Sequence, residues 1–154
     1  MLFPDLDKDA LYFSMFDPAY AWSRDREYSF ELEGQQWKSA EHYYQTMKFQ
    51  SDSYREKVQT ADTIEQARKL GQARFKRKRA DWSKVRATVM TRAVYTICRT
   101  YSNVTEELLA TKETKLVENS QYDYFWGCGR DRRGNNHYGH MLMNIRAKLL
   151  AEIA

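Results

Sequence analysis

In the first third of the chain the apolar positions come in short runs of period two. "LYFSMF" (Leu11 to Phe16) reads as one extended piece, and in "REYSFELEGQQW" Tyr28, Phe30 and Leu32 alternate with polar residues before Gly34. That alternation predicts a small hairpin leading into the first helix. From Ser39 onward the period lengthens to three or four. Ser39 predicts an N-cap for the helix of "SAEHYYQTMKFQ", since its hydroxyl can take an unpaired first-turn amide. Asp62 and Glu65 predict a capping pair for a second helix over "TIEQARKL", with Gly71 as its left-handed C-cap. The strongest helical repeat is Trp82, Val85, Val89, Ala93, Ile97 and Tyr101, predicting a central buried helix from Asp81. A short helix around Glu106 to Ala110, a strand-like "KLVEN" and a C-terminal helix with Leu142, Ile145, Leu149 and Ile153 on one face complete the pattern. The fold class is helix-dominated α+β, a single domain over 1–154 with strands before Trp37 and around Leu116 to Trp126.

Composition narrows the class. The 154 residues are 42% hydrophobic, 30% charged and 14% aromatic, which are globular proportions. A net charge of +4 favours anionic partners such as nucleotides, phosphates or nucleic acid. Cys98 and Cys128 stand in no metal-ligand or C-x-x-C spacing, and nothing at the N-terminus reads as a signal peptide or membrane span, so a reduced, cytoplasmic protein with no membrane association is expected.

The helix from Ser39 carries unusual chemistry. At about 100° per residue, Glu41, Gln45 and Lys48 share a stripe while Ala40, Tyr43 and Met47 gather roughly opposite. Either this is a solvated face with a weak ion pair, or it lines a pocket with Tyr44 and Phe49 as its walls. The second dense stretch, "SQYDYFWGCGRDRRGNNHYGH", holds Gly127, Gly129, Gly134 and Gly139 beside Asp123, Trp126, Asp131 and Asn136. Such a loop can cradle a phosphate or ribose while Trp126 stacks on a base, or it can be a tight connection that caps the last helix through Asn135 or Asn136. A third feature is the basic run Arg74, Lys76, Arg77, Lys78, Arg79 with Phe75 and Trp82 interleaved, which suits a nucleic-acid strand or a solvated connection. His42, His137 and His140 have no acidic partner at matching spacing, so no metal is expected. No nucleophilic triad is supported either.

The pieces "FSMF", "WKSAEHYYQTMKF", "ARKLGQ", "RADWSKVRATVM", "LVENSQYDYFWGCGRD" and "GNNHYGHMLMNIR" occur in an order and spacing that resembles the NADAR, or YbiA-like, family from about Phe13 to Arg146. The resemblance implies hydrolysis of an N-glycosidic bond to ribose without a cofactor. The implied substrates are phosphorylated ribosylamine intermediates of riboflavin synthesis or ADP-ribosylated guanine, the latter with DNA or RNA as carrier; a non-catalytic module binding nucleotides or nucleic acid through the basic run is the alternative. It makes Glu41, Lys48 and Asp123 the catalytic candidates, with Lys48 either a proton donor or a Schiff-base nucleophile. Phe16, Trp37, Tyr44, Trp126, Gly127, Asp131 and Asn136 become substrate contacts. Met15 and Met47 depart from the family's usual Asn and Gln; the first implies an altered pocket edge, and the second falls on the apolar side.

Overall fold

The computed structural model describes residues 7–154. In chain order the elements are β1 (Leu11–Phe13), β2 (Phe30–Leu32), β3 (Gln35–Trp37), α1 (Ala40–Thr46), α2 (Asp52–Gln59), α3 (Ile64–Gly71), α4 (Trp82–Thr100), α5 (Ser102–Ala110), β4 (Leu116–Glu118) and α6 (His137–Ile153). They fall into two compact units, one formed by the chain ends up to Ser23 and from Ser102, the other by Arg24–Tyr101.

In the unit Arg24–Tyr101, β2 and β3 form the expected hairpin, with Phe30 opposite Trp37 and Leu32 opposite Gln35. Its turn places both Glu33 (φ 58°) and Gly34 (φ 75°) in the left-handed region, which matches the twist of the flanking strands. Trp37 is buried and its Nε1 donates to Leu32 O at 3.1 Å, so the indole anchors the hairpin and offers no face to a ligand, unlike the contact expected of it. Glu33 then ties the hairpin to two helices: its Oε1 accepts from the Tyr43 hydroxyl at 3.2 Å and from Arg92 at 2.7 Å.

α1 packs against α2, α3 and α4, and every residue from Ala40 to Thr46 is buried. α4 follows its predicted repeat and buries Trp82, Val89, Met90, Ala93, Val94, Ile97 and Cys98 along one stripe. α2 has no counterpart in the sequence reading. It buries only Tyr54 and Val58, and Ser51 at its N-cap makes no side-chain capping bond, so its signals are weak. For α3 the cap is Thr63, whose hydroxyl accepts from Gln66 N, while Gln66 reaches back to Asp62 N at 3.1 Å; Asp62 and Glu65 do not form the pair. Gly71 is the last helical residue and not a left-handed cap. Its role is close approach, because a Cβ there would stand 1.9 Å from Gln45 Oε1.

In the other unit β1 and β4 pair in parallel, with Tyr12 opposite Val117. Strand character ends at Glu118, short of the expected reach to Trp126. α6 lies against β4 so closely that a Cβ at Gly139 would be 2.2 Å from Leu116 O. Phe13, Trp22 and Tyr138 form an aromatic cluster, locked by the Tyr138 hydroxyl donating to Trp22 O at 2.7 Å. Ile153, expected on the buried face of α6, is 69% exposed.

Candidate active site

The polar set of α1 is interior. Ser39 caps the helix by accepting from His42 N, and its Oγ stands 2.7 Å from His42 Nδ1. His42 Nε2 donates to Ala61 O at 3.0 Å, which engages both ring nitrogens, and burial pulls the ring's pKa below its ordinary value. His42 is thus a neutral strut between α1 and the end of α2.

Glu41 is 1% exposed. Its Oε1 accepts from Gln45 Nε2 at 2.6 Å and lies 3.4 Å from Arg68 Nε, too poorly directed for a hydrogen bond; Arg68 also grips Asp25 at 2.6 Å. Glu41 Oε2, Gln45 Oε1 and Thr46 Oγ1 are buried without a partner. Unsatisfied acceptors in an interior cost on the order of 1–3 kcal/mol each, a penalty that a bound donor removes. Arg68 was not singled out in the sequence reading. The missed signal is its place in "ARKLGQ", three residues before a glycine that lets α3 meet α1.

Lys48 is not on the helical stripe, because α1 ends at Thr46. The chain tightens there, with Lys48 N donating to Gln45 O at 3.4 Å and Phe49 N to Thr46 O at 3.2 Å. This turn lets Phe49 pair with Lys78 in an isolated antiparallel bridge and pack edge-on against Tyr54. Lys48 Nζ points inward all the same: it donates to Gly71 O at 3.3 Å and lies 5.4 Å from the Tyr44 ring and 6.0 Å from that of Trp82. Burial, reinforced by Lys78, Arg86 and Arg68 and opposed by Glu41, lowers its pKa to about 8. Tyr44 is buried against Trp82, at 5.0 Å between centroids, and its hydroxyl accepts from Arg86 Nε. A carboxylate with an open oxygen and a largely desolvated amine therefore share one interior, an arrangement able to stabilise a cation, move a proton or add to an electrophilic carbon.

The glycine-rich loop belongs to the other unit. Asp123 Oδ1 accepts from the amides of Phe125 and Trp126, so this carboxylate shapes the turn that carries the indole. Trp126 is buried, edge-on to Phe125 and Tyr138. Gly127 is fixed by crowding, since a Cβ would be 2.9 Å from Ser120. Asn136 is buried at φ 50°, with Oδ1 accepting from Glu118 N and Nδ2 donating to Leu116 O, each at 3.0 Å. It clamps β4, which takes up the amide expected to meet a substrate, and it does not cap α6 through its side chain. Asp131 Oδ1 accepts from Arg133 N, and Phe16 is 62% exposed.

In the basic run Arg74, Lys76, Arg77 and Lys78 are exposed. Arg79 is not available as expected, because its guanidinium makes a double contact with Asp81 at 2.6 and 3.0 Å. Its amide donates to Lys48 O at 2.7 Å, which joins the run to the site. Lys76 covers the Tyr54 ring at 4.8 Å.

Comparison with known proteins shows the family and the fold. A family model, the NADAR domain, matches residues 2–150. The chain is 31% identical to the N-glycosidase YbiA of Shigella boydii, over 92% of this chain and 88% of that protein. It is 33% identical to the N-glycosidase Npun_R5314 of Nostoc punctiforme, over 90% of each. The solution structure of Escherichia coli YbiA superposes with a TM-score of 0.86 at 31% identity, over 96% of this chain and 89% of that one. A riboflavin biosynthesis protein of Vibrio vulnificus, VVA0006, matches at 35% identity, though the chain covers only 39% of it.

Proposed function

The chain belongs to the NADAR family, and from that premise we propose that it hydrolyses the N-glycosidic bond between a ribosyl phosphate or ADP-ribose and an amine or base. The observation that carries the proposal is the interior of α1, where Glu41 keeps an unpartnered oxygen and the amine of Lys48 titrates at about 8. Cleaving a ribosyl C–N bond develops positive charge at the anomeric carbon, and a buried carboxylate stabilises it far more than an exposed one. Burial and the neighbouring cations favour the uncharged amine of Lys48. In the proposed reaction that amine adds to the anomeric carbon as the C–N bond breaks. The departing nitrogen keeps the bonding pair and takes the proton lost from Nζ. The sugar ring opens to a protonated Schiff base as its ring oxygen takes a proton from water; the hydroxide left adds to the imine carbon, and collapse of that adduct releases the ribosyl product and restores the amine.

Wild type, Glu41→Gln and Lys48→Ala are to be incubated with a ribosylamino-pyrimidine phosphate and with ADP-ribosylated guanine, and release followed by mass spectrometry. Loss of release of at least about a hundredfold in both variants is expected. Borohydride should trap a sugar adduct on wild type and not on Lys48→Ala. Full turnover by Lys48→Ala removes Lys48 from the chemistry, and no release from either substrate by wild type leaves a binding module.

A polymer substrate is favoured by one observation, Phe75, which is 97% exposed among Arg74, Lys76 and Arg77. An exposed ring flanked by cations suits stacking on a single-stranded base. Binding to single-stranded DNA should then fall steeply with salt and weaken in Phe75→Ala; salt-insensitive or absent binding excludes the polymer.

A further inference from the structure

In the unit formed by the chain ends, a cavity of about 330 Å³ is lined by Tyr12, Asn119, Gln121, Cys128, Gly129, Arg130 and Arg132. An adjoining one of about 210 Å³ shares Tyr12, Cys128 and Arg132 and adds Lys115 and His140. The larger lining holds two guanidiniums and no carboxylate. In the smaller, Asp7 is the acidic member, and it stands 3.8 Å from Lys115. Among the described residues neither the Arg130 nor the Arg132 guanidinium has an ion pair or hydrogen bond.

The frame beneath these arginines is tight. Cys128 N donates to Glu118 O at 2.8 Å, Gly129 N to Ser120 O at 3.1 Å, and Gly134 N closes the turn onto Cys128 O at 2.7 Å. Gly129 sits at φ 72° with the Tyr124 ring where a Cβ would go, and a Cβ at Gly134 would be 2.6 Å from Gly127 O. Arg130 and Arg132 thus stand on a short, closed turn and line one cavity with Tyr12, Asn119 and Gln121.

We propose that this cavity binds a phosphate ester, with Arg130 and Arg132 holding the phosphate and the Asn119 and Gln121 amides meeting the hydroxyls of the attached sugar. Paired guanidiniums match the oxygens of a phosphate dianion, and the larger cavity's lining holds no carboxylate that would compete for them. The volume admits a sugar phosphate. The phosphate is either the substrate's own or that of a separate effector, and the chemistry that recognises it is the same.

The test is calorimetric titration of the full chain with ribose 5-phosphate, inorganic phosphate and ribose. Binding of the two phosphates and not of ribose is expected, weakened about tenfold or more in Arg130→Gln/Arg132→Gln. Arg133→Gln, on the same turn but outside the lining, should bind as wild type, and unchanged melting of each variant shows that the fold is intact. A tenfold rise in KM for a phosphorylated ribosyl substrate in the double variant assigns the site to the substrate. An unchanged KM with lost phosphate binding assigns it to an effector. Because binding is read without turnover, it can succeed or fail independently of the glycosidase reading. No phosphate binding by wild type, or equal loss in Arg133→Gln, overturns the proposal.

Discussion

Lys48 shows how one residue can oppose stability while serving chemistry. Its pKa is lowered from 10.5 to about 8 by burial, so the fold prefers the neutral amine while the unfolded chain holds its proton up to about 10.5. Between those values the unfolded state binds more protons, and stability rises with pH until the amine is neutral in both states. Below about pH 8 the buried ammonium is a standing cost. Lys48→Met should therefore gain about 1–3 kcal/mol at pH 7, remove the rise between pH 8 and 10.5, and lose at least about a hundredfold in turnover. Urea unfolding at pH 7 and pH 10 checks the stability part; an unchanged midpoint at pH 7 would show that Lys48 is well solvated. Tyr43 shifts the other way. Burial, with Glu33 beside its hydroxyl, raises it to about 12, so its contribution is complete below pH 10 and is lost as pH rises through 12.

Among the elements, the junction of α1 with α3 is decisive. Gly71 ends α3 where a Cβ would stand 2.8 Å from Gln45 Cβ, a contact that rotation of the Gln45 amide cannot relieve, and its carbonyl receives Lys48 Nζ. Gly71→Ala must push α3 off α1, so it should lose more than about 2 kcal/mol and most of its activity together. Gly34→Ala is the control: nothing lies within 4 Å of a Cβ there and only its φ of 75° is strained. It should cost about 1 kcal/mol and leave turnover unchanged. Equal effects of the two would deny the junction its role. Gly34 was legible because a hairpin turn is local and its glycine stands between alternating strands. Gly71 was misread as a helix cap because its partner, Gln45, is remote in the chain. Lys48 was placed on α1 by extending a helical wheel past Thr46, where the bridge between Phe49 and Lys78 overrides local propensity.

Across the molecule, the segment Arg24–Tyr101 is a compact unit inserted between chain ends that form another, while the family model spans 2–150 and hence both. A single domain, as expected from length, is proposed on that basis. Urea unfolding should then give one transition, with far-UV circular dichroism and tryptophan fluorescence coincident; two separated transitions would mark two independently stable units. Among the described residues, no helix is long and apolar enough to cross a membrane.

By itself the sequence determined the features that depend on neighbours along the chain: the β2–β3 hairpin, the repeat of α4, the Ser39 cap, and the family through motifs in order. Tertiary structure alone decided which polar groups are buried and what they meet. The Glu41, Gln45 and Lys48 stripe looks the same on a helical wheel whether it faces water or an interior. Packing of α2, α3 and α4 around α1 encloses it, leaves Glu41 Oε2 unpartnered, and brings Arg68 and Gly71 O beside it. The same holds for Asn136, whose side chain serves β4 because the fold returns α6 to Leu116 and Glu118. Desolvation and pairing across distant segments set a group's reactivity, and neither is a property of local sequence.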